Sequence, residues 1–301
     1  MYQQTLNAPV TSVSALDPEK WQAMMEHHHR ELAPILEPYL EKRSRQEKQP
    51  VLDFLFEYYK FRPSHLMRWS PGAGVHLILD SGRECLPELS ELIVEDNAAF
   101  LDTRLFPEKR MRAARWMHNL LVKTNQTKPF FGCFGMHEWA MVYKAGDVRH
   151  SQVPLRLPDD EITRIVESRP LLCTHYDAFR FFTDEARPMN RKQLSRDIFQ
   201  ETEQPGCIHS NMDIYKWAYK LYPWISSEVI REAFLLALDA RTIDMKASPY
   251  DLRDHGLVPI RIETEEGRKE YQRHQTAIWE RGLPVRQLLI EAYERLFSLL
   301  E

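Results

Sequence analysis

The C-terminal third of the chain carries the feature that most limits its fold: four segments whose apolar residues recur at helical spacing. Apolar side chains three and four residues apart lie on one face of an α-helix, so each segment would bury that face against another element. Ser226 or Ser227 and Pro284 are placed as helix start signals. The segments are residues 209–222, 226–241, 264–282 and 284–301. They predict a C-terminal helix bundle.

Helix signals also dominate the rest of the chain. The sequence has only 10 glycines against 19 prolines, which disfavours a turn-rich β architecture. Asp17 and Pro18 mark the start of a helix that we expect to be interrupted near Pro34 and Pro38. The irregular stretch at residues 66–82 contains VHLIL, a candidate short strand. We therefore predict a mainly α, helical globular protein with a small β element near residues 66–82.

No stretch has the composition of a linker. We expect a flexible N-terminal tail at residues 1–16 and a single mainly helical domain at residues 17–301. The N-terminal segment has neither a basic n-region nor an apolar h-region, and the sequence contains no run of 18 apolar residues. These features predict a cytoplasmic protein with no membrane partner.

Charge and cysteine content narrow the classes of partner and site. The formal net charge is −4, so the chain as a whole does not favour a DNA-binding surface, although a local basic patch is compatible with it. The four cysteines are far apart and form no CxxC pair. Reduced thiols are therefore expected, not a disulfide framework or a zinc ribbon.

Ionisable residues inside otherwise apolar segments are the main functional signal. Burying such groups is costly unless they are paired, hydrogen-bonded or metal-bound. The predicted catalytic residues are His137 and Glu138 in FGMHEWAMVY, His175 and Asp177 in LCTHYDAFRFF, and His209 and Asp213 in GCIHSNMDIYKWAY. We expect at least two of the three histidines to face one cavity, with Asp213 or Glu138 within reach.

His209 and Asp213 are four residues apart on a predicted helix, so their side chains would share one face. Asn211 adds an amide near the helix N-terminus, where anions are favoured. The alternative is purely structural. In that interpretation His209 caps the helix and Asp213 forms an ion pair with Lys216 or Lys220.

The other two pairs also allow more than one interpretation. His137 and Glu138 are adjacent and do not form an HExxH zinc motif, because position 141 is Met. One of them would face a site while the other braces it, or His137 would simply bond a backbone carbonyl. His175 and Asp177 would share a face of a strand but not of a helix, and periodicity does not decide between the two.

Two kinds of site are compatible with the three segments if they converge. Neutral imidazoles of His137, His175 and His209, with the carboxylate of Asp213 or Glu138, would suit zinc or iron. Alternatively, a carboxylate with a perturbed pKa would work with the histidines as general acid or base, without a metal, on a small-molecule or nucleobase substrate. The sequence leaves both open.

Further residues are candidates to bind the ligand itself. Lys123 and Asn125, in the polar segment KTNQTK, would contact a phosphate or carboxylate, although a solvated loop is the default for such a segment. Arg180 and Lys216 are additional cationic candidates. The remaining candidates are the amide of Asn211 and the aromatic rings of Trp139, Tyr176 and Tyr215.

Three longer strings resemble a known family: FGCFGMHEWAMVY, CIHSNMDIYKWAYKLYPW and LPVRQLLIEAYERLF. They are similar to a bacterial family commonly labelled 3-methyladenine DNA glycosylase. The resemblance implies hydrolysis of the N-glycosidic bond of a damaged base, with aromatic stacking on the base and Asp177 or Asp213 as the carboxylate. The segment GLPVRQLL at residues 282–289 has Val285 and Arg286 where a helix-hairpin-helix glycosylase motif has glycines.

Two other classes of function fit the same residues. One is a metal-dependent helical enzyme acting on a small molecule. The other is a non-catalytic protein that binds a small ligand and uses its polar interior groups for specificity.

Overall fold

The computed structural model describes residues 13–79, 85–146 and 153–301. About 58% of the chain is helical, and four strands form a small sheet. The mainly α fold and the small β element near residues 66–82 are therefore confirmed.

The α-helices follow one another through most of the described sequence. In chain order they are α1 (Pro18–Ser44), α2 (Pro50–Asp53), α3 (Pro63–Met67), α4 (Met111–Gln126), α5 (Met136–Ala140), α6 (Asp159–Glu167), α7 (Tyr176–Phe179), α8 (Phe199–Thr202), α9 (Ile208–Tyr219), α10 (Ser227–Ala247) and α11 (Glu265–Leu300). A π-helical turn at Phe54–Tyr58 directly follows α2.

The chain folds as two compact units. Unit 1 comprises Met1–His118, Tyr215–Leu235 and Val285–Glu301, and unit 2 comprises Asn119–Ile214 and Leu236–Pro284. Helices α4, α9, α10 and α11 contribute residues to both units. The single domain at residues 17–301 stays a prediction.

The sheet belongs to unit 1 and has the strand order β1-β2-β4-β3. Its strands are β1 (Ser14–Leu16), β2 (Val75–Ile78), β3 (Leu92–Glu95) and β4 (Ala98–Leu101). Strands β1 and β2 are parallel, and the other two pairings are antiparallel. Asp96 and Asn97 join β3 to β4 with φ values of 44° and 64°. Asp and Asn tolerate this left-handed conformation, which a two-residue hairpin turn requires.

Strand β1 lies within the segment that the sequence assigns to the N-terminal tail. Ser14 pairs with Val75 and Leu16 with Leu77, so this part of the tail is hydrogen-bonded to the sheet. Residues 1–12, the rest of the predicted tail, lie outside the described residues.

The sheet of unit 1 packs around a small apolar cluster. Its buried members are Trp21, Trp69, Leu77, Leu79 and Ala99. The Trp21 indole N–H donates to the carbonyl of Ile78 at 3.1 Å, so the ring is fixed against the sheet. Burial of two tryptophans supplies much of the apolar area in this part of the unit.

Helix α1 continues through both of its internal prolines, so the predicted interruption near Pro34 and Pro38 is wrong. Both prolines are exposed, while Leu32, Leu36 and Tyr39 on the opposite face are buried. Each proline removes one backbone donor, but the buried face is uninterrupted. Packing of that face therefore outweighs the local cost of the prolines.

The last two predicted helices, 264–282 and 284–301, are one helix in the structure. Pro284 lies inside α11 instead of starting a new helix, and it is exposed like the prolines of α1. Within the described residues, no helix is long and apolar enough to cross a bilayer.

Candidate functional site

All six predicted catalytic residues lie in unit 2. His137 and Glu138 are on α5, His209 and Asp213 are on α9, and Asp177 is on α7 with His175 as its N-cap residue. The segment around His175 is thus a short helix preceded by extended backbone, which decides the open choice between strand and helix.

The turn before α5 fixes the direction of His137. Phe134 and Gly135 both have positive φ, 49° and 74°. A Cβ atom on Gly135 would lie 3.1 Å from the Ala247 side chain. Glycine is therefore favoured there by both its conformation and the close approach of α10.

His137 is held at both ring nitrogens. Its Nε2 lies 2.8 Å from Oδ1 of Asp244, and its Nδ1 lies 3.3 Å from the sulfur of Cys133. Burial by itself would lower the pKa of His137, but the charge of Asp244, together with Cys133, raises that pKa well above its ordinary value. The imidazole is therefore oriented by two partners that both favour its charged form.

His209 is the middle ring of three. Its ring centroid is 4.5 Å from that of His137, edge to face, and 5.2 Å from that of His175, nearly parallel. Its Nε2 lies 3.9 Å from Oδ2 of Asp244. Burial and the neighbouring His137 and His175 lower the pKa of His209 well below its ordinary value. His209 is therefore a neutral imidazole at neutral pH.

A buried arginine links the two carboxylates on this side of the site. The Nη1 of Arg241 donates to Oε1 of Glu138 at 2.8 Å and to Oδ2 of Asp244 at 2.9 Å. Burial would raise the pKa of Asp244, but His137 and Arg241 hold that pKa below its ordinary value. Glu138 thus braces Arg241, while Asp244 is the carboxylate that contacts the histidines.

His175 has a carboxylate near each ring nitrogen. Its Nδ1 lies 2.7 Å from Oε2 of Glu203, and its Nε2 lies 3.8 Å from Oδ2 of Asp213. Burial would lower the pKa of His175, but these two carboxylates and that of Asp177 raise it above its ordinary value. Asp177 itself is half-buried, with the Nε of Arg180 at 3.4 Å.

A small, partly enclosed cavity of about 10 Å³ adjoins these groups. Two of the three histidines, His137 and His209, line it, and Cys133, Cys173 and Cys207 are also in its wall. Burial raises the pKa values of Cys173 and Cys207 well above that of an ordinary thiol, so these two are protonated at neutral pH. The cavity has room for about one water-sized molecule.

The residues of unit 2 that the sequence predicts to bind the ligand do not line this cavity. Trp139 is buried and donates its indole N–H to the carbonyl of Ala247 at 2.9 Å. The amide nitrogen of Asn211 donates to the carbonyls of Pro205 and Cys207. Both are therefore engaged in holding the backbone around the site.

The remaining candidates of unit 2 are nearer the surface. Lys123 is exposed and lies 3.6 Å from the carboxylate of Glu201, and Asn125 is half-buried on α4. Tyr176 is half-buried, with its ring 6.3 Å from that of Phe199. The roles predicted for these residues stay predictions.

Two of the predicted ligand-binding residues, Tyr215 and Lys216, belong to unit 1. The Tyr215 ring lies 5.3 Å from the ring of Phe234, in a buried aromatic group. The ammonium of Lys216 lies 4.3 Å from the centre of the Trp217 ring. The structure thus places this pair in a different unit from the six predicted catalytic residues.

Sequence reasoning missed the carboxylates that contact the histidines most closely, Asp244 and Glu203. A signal for Asp244 was present: Ala237, Ala240, Arg241 and Asp244 share one face of α10, and all four are buried. Two charged residues on an apolar helix face indicate a buried polar site. Glu203 follows the short helix α8, where the sequence shows no comparable pattern.

No protein-family model, curated protein or solved structure matches this chain. The resemblance to the 3-methyladenine DNA glycosylase family, and the base-excision chemistry that it implies, therefore stay predictions.

Proposed function

We propose that His137, His209 and Asp244 hold a transition-metal ion, and that the protein is a metal-dependent enzyme acting on a small molecule. The proposal rests on how close their ligand atoms lie to one another. One ligand atom from each residue lies within 4.8 Å of the other two, and all three residues are buried. Neighbouring ligands of one zinc or iron ion are about 3–3.5 Å apart at ordinary bond lengths, so side-chain adjustments of about 1 Å would bring all three onto an ion.

The charge states of two of the three residues support the same proposal. A metal site needs neutral imidazole and ionised carboxylate. The lowered pKa values of His209 and Asp244 supply these forms for two of the three ligands at neutral pH. His137, whose pKa is raised by Asp244 and Cys133, would release its proton when an ion binds. The contact of Arg241 with Asp244 resembles the outer hydrogen bonds that orient ligands in known metal sites.

Two imidazoles and one carboxylate are ligands that suit iron(II) or zinc. This set leaves part of the coordination sphere for other groups, and open positions distinguish catalytic sites from structural ones. The third predicted histidine, His175, lies next to His209 but is bonded to Glu203, so we assign it to the surroundings of the ion.

Metal analysis tests the proposal directly. The protein is purified without a histidine tag from cells supplied with zinc and iron, and its metal content is measured by mass spectrometry. We expect about one ion per chain and a higher melting temperature after metal addition. Asp244→Asn should lose the ion, whereas His274→Ala, which removes a half-buried histidine of the same unit outside the site, should keep it. Wild-type protein with far less than one ion per chain, and no stabilisation by added metal, would contradict the proposal.

One observation favours a second candidate, a thiol nucleophile at Cys133. The sulfur of Cys133, the imidazole of His137 and the carboxylate of Asp244 form a chain, with contacts of 3.3 Å and 2.8 Å. In thiol enzymes a histidine activates the cysteine, and a third polar group orients that histidine.

Two substitutions distinguish the candidates. Cys133→Ser should leave the metal content unchanged if the metal site is correct, and His209→Ala should abolish it. If Cys133 is instead an activated thiol, iodoacetamide should label it at neutral pH much faster than Cys85, the exposed cysteine of unit 1. Rapid labelling together with absent metal would favour the thiol candidate.

A further inference from the structure

Two buried polar side-chain atoms, belonging to residues that line the 10 Å³ cavity, have no hydrogen-bond partner among the described residues. They are the hydroxyl of Tyr271 and Oε1 of Gln275. Both side chains are buried, with 0% and 2% of their surface exposed. Leaving such buried groups without a hydrogen bond destabilises the folded state, so a polar occupant of the cavity would stabilise both.

The orientation of the Gln275 amide is fixed by its other end. Its Nε2 donates to the carbonyl of Gly206 at 2.7 Å, so Oε1 is the atom that is left for the cavity. Gln204, another residue of the wall, provides a contrast. Its Oε1 accepts from two backbone N–H groups, and its Nε2 also donates. Of the two glutamines that line the cavity, Gln275 is thus the one whose oxygen accepts no hydrogen bond among the described residues.

Resting on the metal site proposed above, we propose that this cavity is the exchangeable ligand position of the metal centre and takes one water or hydroxide. His137 and His209 line the cavity, so an ion bound by them would adjoin its contents. The Tyr271 hydroxyl would donate to the oxygen of the ligand, and Gln275 Oε1 would accept a hydrogen from it. Water and hydroxide are the ligands that satisfy both contacts within about 10 Å³.

A metal ion with an exchangeable water position would resemble the metal sites of enzymes more than structural metal sites. Structural zinc sites are filled by protein ligands, whereas catalytic sites keep a position for water or substrate. Tyr271 and Gln275 both come from α11, four residues apart, so one helix face presents the donor and the acceptor together. Tyr271 and Gln275 are positioning residues in this scheme, since they act on the ligand and not on the ion.

Fluoride is a suitable probe, because it has about the size of hydroxide but accepts hydrogen bonds and donates none. The full-length protein is loaded with cobalt(II), and fluoride is titrated while the visible absorption bands of the cobalt are recorded. We expect saturable binding to the wild type. Tyr271→Phe should weaken fluoride binding roughly tenfold, because it removes the donor. Gln275→Met should bind fluoride at least as tightly as the wild type, because it removes an oxygen that faces the anion.

Tyr143→Phe is the matched control, since the Tyr143 hydroxyl donates to Glu167 and the residue is not in the cavity wall. It should bind fluoride as the wild type does. Cobalt content, measured for every variant, should stay unchanged and shows that each variant retains the metal site.

Each alternative result has a separate meaning. If the wild type binds no cobalt, both the metal site and the ligand pocket are wrong. If it binds cobalt but its spectrum does not respond to fluoride, the metal site stands and the ligand pocket is overturned. Equal fluoride affinity in the wild type and Tyr271→Phe, or the same weakening in Gln275→Met, also overturns the pocket.

Discussion

Arg241 lies between two buried carboxylates of unit 2. It is 2% exposed and bonds two carboxylates, Glu138 and Asp244, through the same nitrogen. Removing one member of a buried ion pair leaves the other charge without compensation. The free-energy cost is therefore much larger than the net contribution of the intact pair.

Arg241→Met should accordingly lower the free energy of unfolding by about 3–5 kcal/mol. Urea denaturation followed by circular dichroism measures this change. Arg281→Met is the control in the same unit, because Arg281 pairs with Asp239 at 2.7 Å on the surface. That exposed pair should contribute less than about 1 kcal/mol. Similar losses of unfolding free energy in both variants would show that the buried contacts of Arg241 stabilise the protein no more than an exposed ion pair does.

A second residue, His28 in unit 1, should make stability depend on pH. It is fully buried, and its Nε2 contacts the carbonyl of Leu66 at 2.8 Å. Burial, reinforced by the charge of Arg231, lowers its pKa from 6.5 to about 4. The folded state thus favours the neutral ring. This preference contributes fully to the free energy of unfolding above the unfolded pKa of 6.5, and the contribution is lost as pH falls towards 4.

The contribution of His28 amounts to about 3 kcal/mol of unfolding free energy between those two pH values. His28→Gln keeps a donor for the Leu66 carbonyl but cannot titrate, so it should lose less stability than the wild type between pH 7 and pH 4. Parallel urea titrations across this range measure the difference. Identical pH profiles for the two proteins would contradict this explanation.

In helix α1, the regular spacing of the buried residues predicts a continuous helix, whereas the positions of the prolines wrongly predict a break. In α1 the buried residues Trp21, His28, Leu32, Leu36 and Tyr39 keep helical spacing across both prolines. That stripe was visible in the sequence, and so was the stripe of α10 that includes Asp244. The spacing of buried positions could therefore have corrected the predicted helix break and found one missed site residue.

Pro38 should destabilise α1, since it cannot donate to the carbonyl four residues earlier. Pro38→Ala restores that donor on an exposed face and should raise the free energy of unfolding by about 1–3 kcal/mol. Pro18 is at the first helical position, where proline causes no strain, so Pro18→Ala should change the free energy of unfolding little. Thermal and urea melts of the two variants test the difference, and equal effects would argue against a helical cost at Pro38.

At the scale of the whole molecule, the sequence predicted the fold class and the polar pairs but not how those pairs are connected. His137, His175 and His209 come together because α5, the turn before α7, and α9 meet in unit 2. Contacts between residues so far apart in the chain leave no periodic pattern in the sequence. Glu203 was missed for the same reason, whereas Asp244 lies on a buried stripe of α10 that the sequence does show.

An anomalous-difference map would show directly whether His137, His209 and Asp244 bind an ion. The crystals are grown from protein purified without a histidine tag, and the data are recorded at the absorption edge of the metal found by analysis. The proposed metal site should give a peak about 2.0–2.2 Å from a nitrogen of His137, a nitrogen of His209 and an oxygen of Asp244. A map with no peak at that position, in which His137 still donates directly to Asp244, would contradict it.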